Sequence, residues 1–294
     1  MQKTAKMIFI LGLCVVFHKI AYAEGKIDVF VSIAPQKYFV EKIAQTQVEV
    51  SVMVQPGASP ATYEPKPKQM IALSKTKIYF AIGVPFERVW LKKIAVVNPK
   101  MQIINSQNGI TKIPMETYHQ HEREHHKGTY NNIVHDPHIW LSPNLVKIQA
   151  RNILNALLVL NQGNKSVYRA GYKKFIAEIE SLDVELKKIF TGQKETKFMV
   201  FHPSWGYFAR EYGLKQIPVE IEGKDPKPAD LVRLIKLANT LNIKMIFIQP
   251  QFSDASAGVI AQGIGGQIAF ADPLALNWAD NLRQVSAKFN AALR

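Results

Sequence analysis

All but one of the eight histidines lie beyond residue 100, in three groups. His119, His121, His125 and His126 crowd a polar stretch, Tyr118–Gly128, beside Glu122 and Glu124. His135 and His138 flank Asp136-Pro137, and His202 stands alone before Pro203. Neutral imidazole is the commonest protein ligand for transition metals, and imidazole with carboxylate suits zinc. The crowded stretch fits weak, exchangeable metal capture, against the plainer reading of a solvated polar insertion. A segment that must order itself around each ion loses chain entropy for every ligand fixed, so it is not expected to be the principal site.

The other groups depend on the elements that carry them. Phe198–Phe201 is a hydrophobic strand with His202 at its C-terminal end, followed by a helical pattern. Asp272, after Ala269-Phe270-Ala271, occupies the same kind of place, and strand C-termini are where open α/β sheets put ligands. An isolated His or Asp is more often a cap or a satisfied core group. Here His202 and Asp272 leave strand ends in one half of the chain and His138 comes from the other, so a shared cleft is expected.

Strand and helix signals alternate along both halves. Ile27–Ser32, Val48–Val52, Lys77–Ala81 and Gln102–Ile104 read as strands, with helices over Gln36–Ala44 and Lys66–Ser74. In the second half the strands are Lys197–Phe201, Lys215–Val219, Met245–Ile248 and Gln267–Phe270; the helices are Ser204–Tyr212, Pro228–Leu241, Ala255–Gly265 and Leu276–Ala292. Such alternation predicts α/β architecture: two Rossmann-like lobes with parallel sheets. Between them Pro143–Leu160 and Lys165–Phe190 read as helices. The latter carries an apolar stripe of Tyr168, Tyr172, Phe175, Ile179, Leu182, Leu186 and Ile189. It forms one long rigid rod of roughly 39 Å joining the lobes. The expected divisions are 1–23 a signal peptide, 24–142 an N-terminal lobe with a histidine-rich loop at 115–130, 143–191 connecting helices, and 192–294 a C-terminal lobe.

The leader has Lys3 and Lys6, an apolar run from Met7 to Phe17, and Ala21-Tyr22-Ala23 before Glu24, which predicts cleavage after Ala23 and a periplasmic address. The run is shorter than the ~20 residues of a spanning helix. Cys14, the only cysteine, leaves with it, so the mature chain has neither a disulfide nor a thiolate ligand. The formal net charge of +14 would suggest nucleic acid in an intracellular protein. In an exported one, with Lys and Arg scattered and no interleaved aromatics, it reads as a solvated surface, and no nucleic-acid partner is expected. The chain lacks His-Glu-x-x-His, Gly-x-Ser-x-Gly and a phosphate loop; Gly263-Ile264-Gly265-Gly266 reads as a helix stop. An enzyme is not expected, although zinc on two histidines, an aspartate and water could in principle activate that water.

Five motifs together resemble the zinc/manganese solute-binding proteins of ABC importers, over essentially the whole mature chain. They are Pro56-Gly57-Ala58-Ser59-Pro60-x-Thr62-Tyr63-Glu64-Pro65, Asp136-Pro137-His138-x-Trp140-Leu141, Phe201-His202-x-x-Trp205-x-Tyr207-Phe208, Gln249-Pro250-Gln251-Phe252-Ser253 and Asp272-Pro273-Leu274. The resemblance implies two α/β lobes bridged by one long helix, a metal held between them, a cognate membrane permease and a monomer. A histidine-rich loop is typical of the zinc members. His202 points to zinc rather than manganese, whose binders usually carry glutamate there, and softer nitrogen suits zinc. One position departs from the pattern: the histidine expected after Pro60 is Ala61. The implied ligand set shrinks to His138, His202 and Asp272, an open zinc site, with His135 or a loop histidine as a possible substitute. The resemblance thus implies high-affinity zinc capture for uptake; the alternative is a relative with a weakened site acting as metal buffer, adhesin or binder of another solute.

Overall fold

A computed structural model of the chain describes residues 25–116, 134–221 and 223–293. The expectations for the leader and for His119, His121, His125 and His126 fall outside the described residues.

The first sheet comprises β1 (Ile27–Val31), β2 (Val48–Val52), β3 (Ile78–Ala81) and β4 (Gln102–Asn105), in the spatial order β2-β1-β3-β4. The second comprises β5 (Thr196–Val200), β6 (Leu214–Pro218), β7 (Met245–Ile248) and β8 (Gln267–Phe270), in the order β6-β5-β7-β8. Every pairing is parallel. Parallel strands need crossover segments that cover the faces, which is why β3 is buried at every residue and its IYFA reads as a continuous apolar run. In each sheet the order reverses between the first and third strands, β1/β3 and β5/β7. There the crossovers leave in opposite directions and open a crevice at the strand C-termini.

The crossovers of the first lobe include α1 (Ala34–Ala44), α2 (Pro67–Leu73) and α3 (Glu87–Val97); those of the second include α6 (Gly206–Glu211), α7 (Pro228–Thr240) and α8 (Ala255–Gly263). The helix α3 lies where the sequence reading placed no element: its exposed Val89 and Val96 blur the apolar periodicity. Between the lobes run α4 (Pro143–Leu160) and α5 (Lys165–Ile189), and α9 (Trp278–Ala292) ends the chain. Ser142 starts α4, its hydroxyl accepting from Leu145 N at 3.2 Å, with Pro143 in the first turn, where its missing N–H costs nothing.

The 25-residue α5 packs on α1 of the first lobe and α9 of the second. The expected stripe is its inward face: Tyr168, Phe175, Ile179, Leu182 and Leu186 are buried. Phe39, Phe175 and Trp278, from α1, α5 and α9, meet with ring centroids 5.3–6.4 Å apart. One apolar core therefore runs unbroken across the junction, and a second, Met199–Ile264, fills the far face of the second sheet. Opening the lobes would disrupt this aromatic contact, so the packing at the junction opposes hinge motion. No helix among the described residues is long and apolar enough to cross a membrane.

Candidate functional site

His138 sits just before a 3₁₀ turn, Ile139–Leu141, that buries Trp140. The backbone N–H of His138 donates to Asp136 Oδ1 at 2.8 Å, and its ring Nδ1 lies 2.7 Å from the same oxygen. Asp136 is 1% exposed. It fits there because position 206 is glycine: a Cβ on Gly206 would lie 2.8 Å from Asp136 Oδ2. The carboxylate holds the ring and leaves Nε2 as the nitrogen free for a metal. Burial pushes the His138 imidazole below its ordinary pKa against the opposing pull of Asp136, which keeps it in the neutral, ligating form at neutral pH.

His202 leaves the end of β5 at the reversal point of the second sheet. Gln249, just past β7, clamps its backbone: His202 N donates to Gln249 Oε1 at 3.2 Å, and Gln249 Nε2 donates to His202 O at 2.6 Å. Its Nδ1 lies 2.9 Å from Oε1 of buried Glu220, an ion-pair approach too far off line to count as a hydrogen bond. Phe252 stacks on the ring, centroids 5.0 Å apart at 21°. The rings of His138 and His202 meet edge to face across the lobes, centroids 5.2 Å apart at 74°. Each therefore has a carboxylate on its Nδ1 side.

Asp272 follows β8. Its Oδ1 accepts from Leu274 N at 2.9 Å and Gln251 Nε2 at 3.1 Å, so both bonds fall on one oxygen. The segment is stitched to that of His138 by tryptophans: Trp140 Nε1 donates to Pro273 O at 2.6 Å, and Trp278 Nε1 to Trp140 O at 2.7 Å. Among the described residues no three His, Cys, Asp or Glu side chains are close enough to hold a metal together. His138 and His202 are brought together; Asp272 is bound to its own neighbours and does not join them in a three-residue cluster among the described residues.

His138 and His202 line a cleft of about 1560 Å³ between the lobes, together with Gln251, Pro273 and Leu274, the neighbours of Asp272. His135 lines it too, exposed on the Pro114–His135 bridge, as does Ala61 on the opposing loop. Asp136, Glu220, Gln249 and Phe252 were not among the expected ligands. Asp136 lies two residues from His138, and Gln249 and Phe252 stand in the Gln249–Ser253 motif; Glu220 alone had no motif and reaches the site through the parallel sheet.

Two doubly wound lobes joined by a rigid helix, with paired imidazoles where they meet, make a solute-binding protein built to hold something small between them. The family model described as "Zinc-uptake complex component A periplasmic", ZnuA, matches residues 29–292. The chain belongs to that family, whose members are the solute-binding components of zinc uptake rather than enzymes. It is similar to the "High-affinity zinc uptake system protein ZnuA" of Bacillus subtilis, 26% identical over 246 residues, covering 82% of this chain and 76% of that protein. It is also similar to a "Putative metal-binding protein" of Chlamydia trachomatis, 24% identical, covering 89% and 90%. Among solved structures, a crystal structure of ZnuA is 45% identical with a TM-score of 0.85, covering 92% of this chain and all (100%) of that one. A zinc-bound ZnuA deletion mutant is 44% identical with a TM-score of 0.83, covering 91% and 98%.

Proposed function

We propose that the chain captures zinc in the periplasm, in the cleft between its lobes, and hands it to the membrane permease of an ABC importer. His138 and His202 supply Nε2 donors and Asp272 an oxygen. The observation that carries this is the imidazole pair, centroids 5.2 Å apart, with Asp136 hydrogen-bonded to Nδ1 of His138 and Glu220 2.9 Å from Nδ1 of His202. A carboxylate behind a ligating histidine fixes ring and tautomer and raises ligand basicity, and that pairing accompanies metal sites. Zinc as cargo is supported by the family and by the relatives' names. An exported, monomeric protein whose first 23 residues are removed fits the same role, with His119, His121, His125 and His126 collecting zinc weakly and passing it inward.

A second reading, a weakened site that buffers metal, has one observation in its favour. Ala61 lines the cleft and offers no side-chain donor where the family pattern has a histidine. Equilibrium dialysis with zinc separates the two. High-affinity capture requires one tight equivalent that disappears in His138→Ala and His202→Ala and survives deletion of 119–126. Loss of all binding with the loop would make the loop the principal site.

A further inference from the structure

Lys and Arg are spread along the whole chain, but their excess over acids is not. Residues 66–100 hold eight of them and a single acid, Glu87; the rest of the chain after residue 23 holds 26 against 22 and is near balance. All eight cations are exposed. Glu87 is buried and turned inward, its carboxylate accepting from Ser32 Oγ, Ile82 N and Gly83 N.

The fold gathers this charge into one layer. In the order β2-β1-β3-β4 the crossover to β2 runs one way and those to β3 and β4 run the other. Right-handed connections therefore put α1 on one face of the sheet and α2 and α3 on the opposite one. There α2 packs on α3, while α1 is covered by α5. Asn98 ties the pair together, its Nδ2 donating to Leu73 O at 2.9 Å and Thr76 O at 2.8 Å. Each helix shows solvent a stripe at helical spacing. On α2 and the turn after it these residues are Lys68, Ile71, Ala72 and Lys75; on α3 they are Val89, Lys92, Lys93 and Val96, with Lys100 just beyond. Ile71, Val89 and Val96 are 71%, 60% and 78% exposed. Glu64 stands two residues from Lys66, and Asp28 O takes the backbone N–H of Lys77, so those two lysines are set aside. Lys68, Lys75, Lys92, Lys93 and Lys100 have no ion-pair partner among the described residues.

The chemistry of the layer selects its partner. Protein interfaces favour Arg and aromatic rings and are poor in Lys. This layer has five lysines and exposed aliphatics, and its one tryptophan, Trp90, is half-buried with Lys93 Nζ 4.2 Å from its ring centroid. Ammonium groups on flexible stems around shallow aliphatic side chains match a bed of anionic headgroups, where stems cover apolar surface and each charge meets a phosphate. We propose that the α2–α3 layer docks the exported protein reversibly on the anionic phospholipid surface of a membrane. This goes beyond metal capture and does not depend on it. Arg88, in the first turn of α3, lines the inter-lobe cleft, so docking by this layer holds the cleft beside the membrane.

The test is flotation of the chain from residue 24 onward with vesicles of equal parts phosphatidylglycerol and phosphatidylcholine. Binding is expected at ~0.1 M salt, but not at ~1 M salt, where screening is severe, nor on phosphatidylcholine alone. Lys75→Gln with Lys92→Gln and Lys93→Gln should lower the partition coefficient about 100-fold, the worth of three lysines at an anionic surface, and leave zinc affinity unchanged. Lys173→Gln with Lys174→Gln and Lys188→Gln removes the same charge from exposed positions on α5 and should cost less than about tenfold. No binding to the anionic vesicles, or equal losses in the two triple variants, overturns the proposal. Binding to native membranes that trypsin abolishes, with none to pure lipid, overturns it in favour of an acidic protein partner.

Discussion

The two lobes share one strand order and use it differently. At the reversal point of the second sheet the strand end presents His202 to the cleft, held by Gln249 from the neighbouring strand. At the same point of the first sheet the chemistry is turned inward. Ser32, just past β1, bonds through its hydroxyl to Glu87 and lies 2.8 Å from Tyr79 OH. Glu87 also accepts from Ile82 N at 2.9 Å and Gly83 N at 2.7 Å, and Gln36 Nε2 donates to Phe80 O at 3.1 Å. These groups satisfy one another, so the crevice is plugged. The first lobe instead offers its imidazole from the segment leading into α4, where His138 is set by Asp136 and by the buried turn around Trp140. A parallel sheet makes a place for a ligand; whether donors point out of it is decided by the few residues after each strand.

This contrast can be broken most severely at the paired rings. His138→Ala and His202→Ala should each weaken zinc binding by more than about 100-fold, beyond the ~10–100-fold usual for changes behind a ligand. Competition titration against a chromophoric chelator measures it; equal, small losses from loop and cleft histidines would remove the distinction between sites. Next come the carboxylates behind the rings. Asp136→Asn and Glu220→Gln should cost ~10–100-fold each in affinity while far-ultraviolet circular dichroism stays unchanged.

The third change works in the opposite direction. Ala61→His restores an imidazole to the plugged lobe's wall and should tighten binding of bare zinc by about tenfold or more, since a fourth donor closes the tetrahedron. If His135 already occupies that position, the gain vanishes and His135→Ala becomes costly in the parent but tolerated beside Ala61→His.

The smallest effect concerns stability. Burial raises the Glu116 carboxyl from 4.5 to about 6 in the folded chain. A carboxyl with a raised folded pKa contributes stability that is fully present below its unfolded value and lost as pH rises through the folded one. Glu116 should therefore cost about 2 kcal/mol between pH 4.5 and 6. Denaturant melts of Glu116→Gln should lack that part of the slope; identical pH profiles would refute the assignment.

Most of the fold was legible because parallel strands buried on both faces leave unbroken apolar runs, as in Ile78–Ala81, and because the stripe on α5 repeats at helical spacing. The missed helix, Glu87–Val97, exposes valines on its outer face, so its pattern does not separate inside from outside. At the site, His138 and His202 were visible from their type and their place after a turn or a strand. Their supporting carboxylates were not equally visible. Asp136 is local to His138, but Glu220 reaches His202 only through the pairing of β5 with β6, a contact no short window of sequence contains. The bonds that hold Asp272 to Gln251 and Leu274 were likewise unreadable without the loop geometry.

The central claim is tested most directly by crystals grown with one equivalent of zinc and measured on both sides of the zinc absorption edge. The account predicts an anomalous peak in the cleft, about 2.0–2.1 Å from Nε2 of both His138 and His202, with no protein donor from the Ala61 side. A peak confined to His119–His126, with none between the two imidazoles, would contradict it.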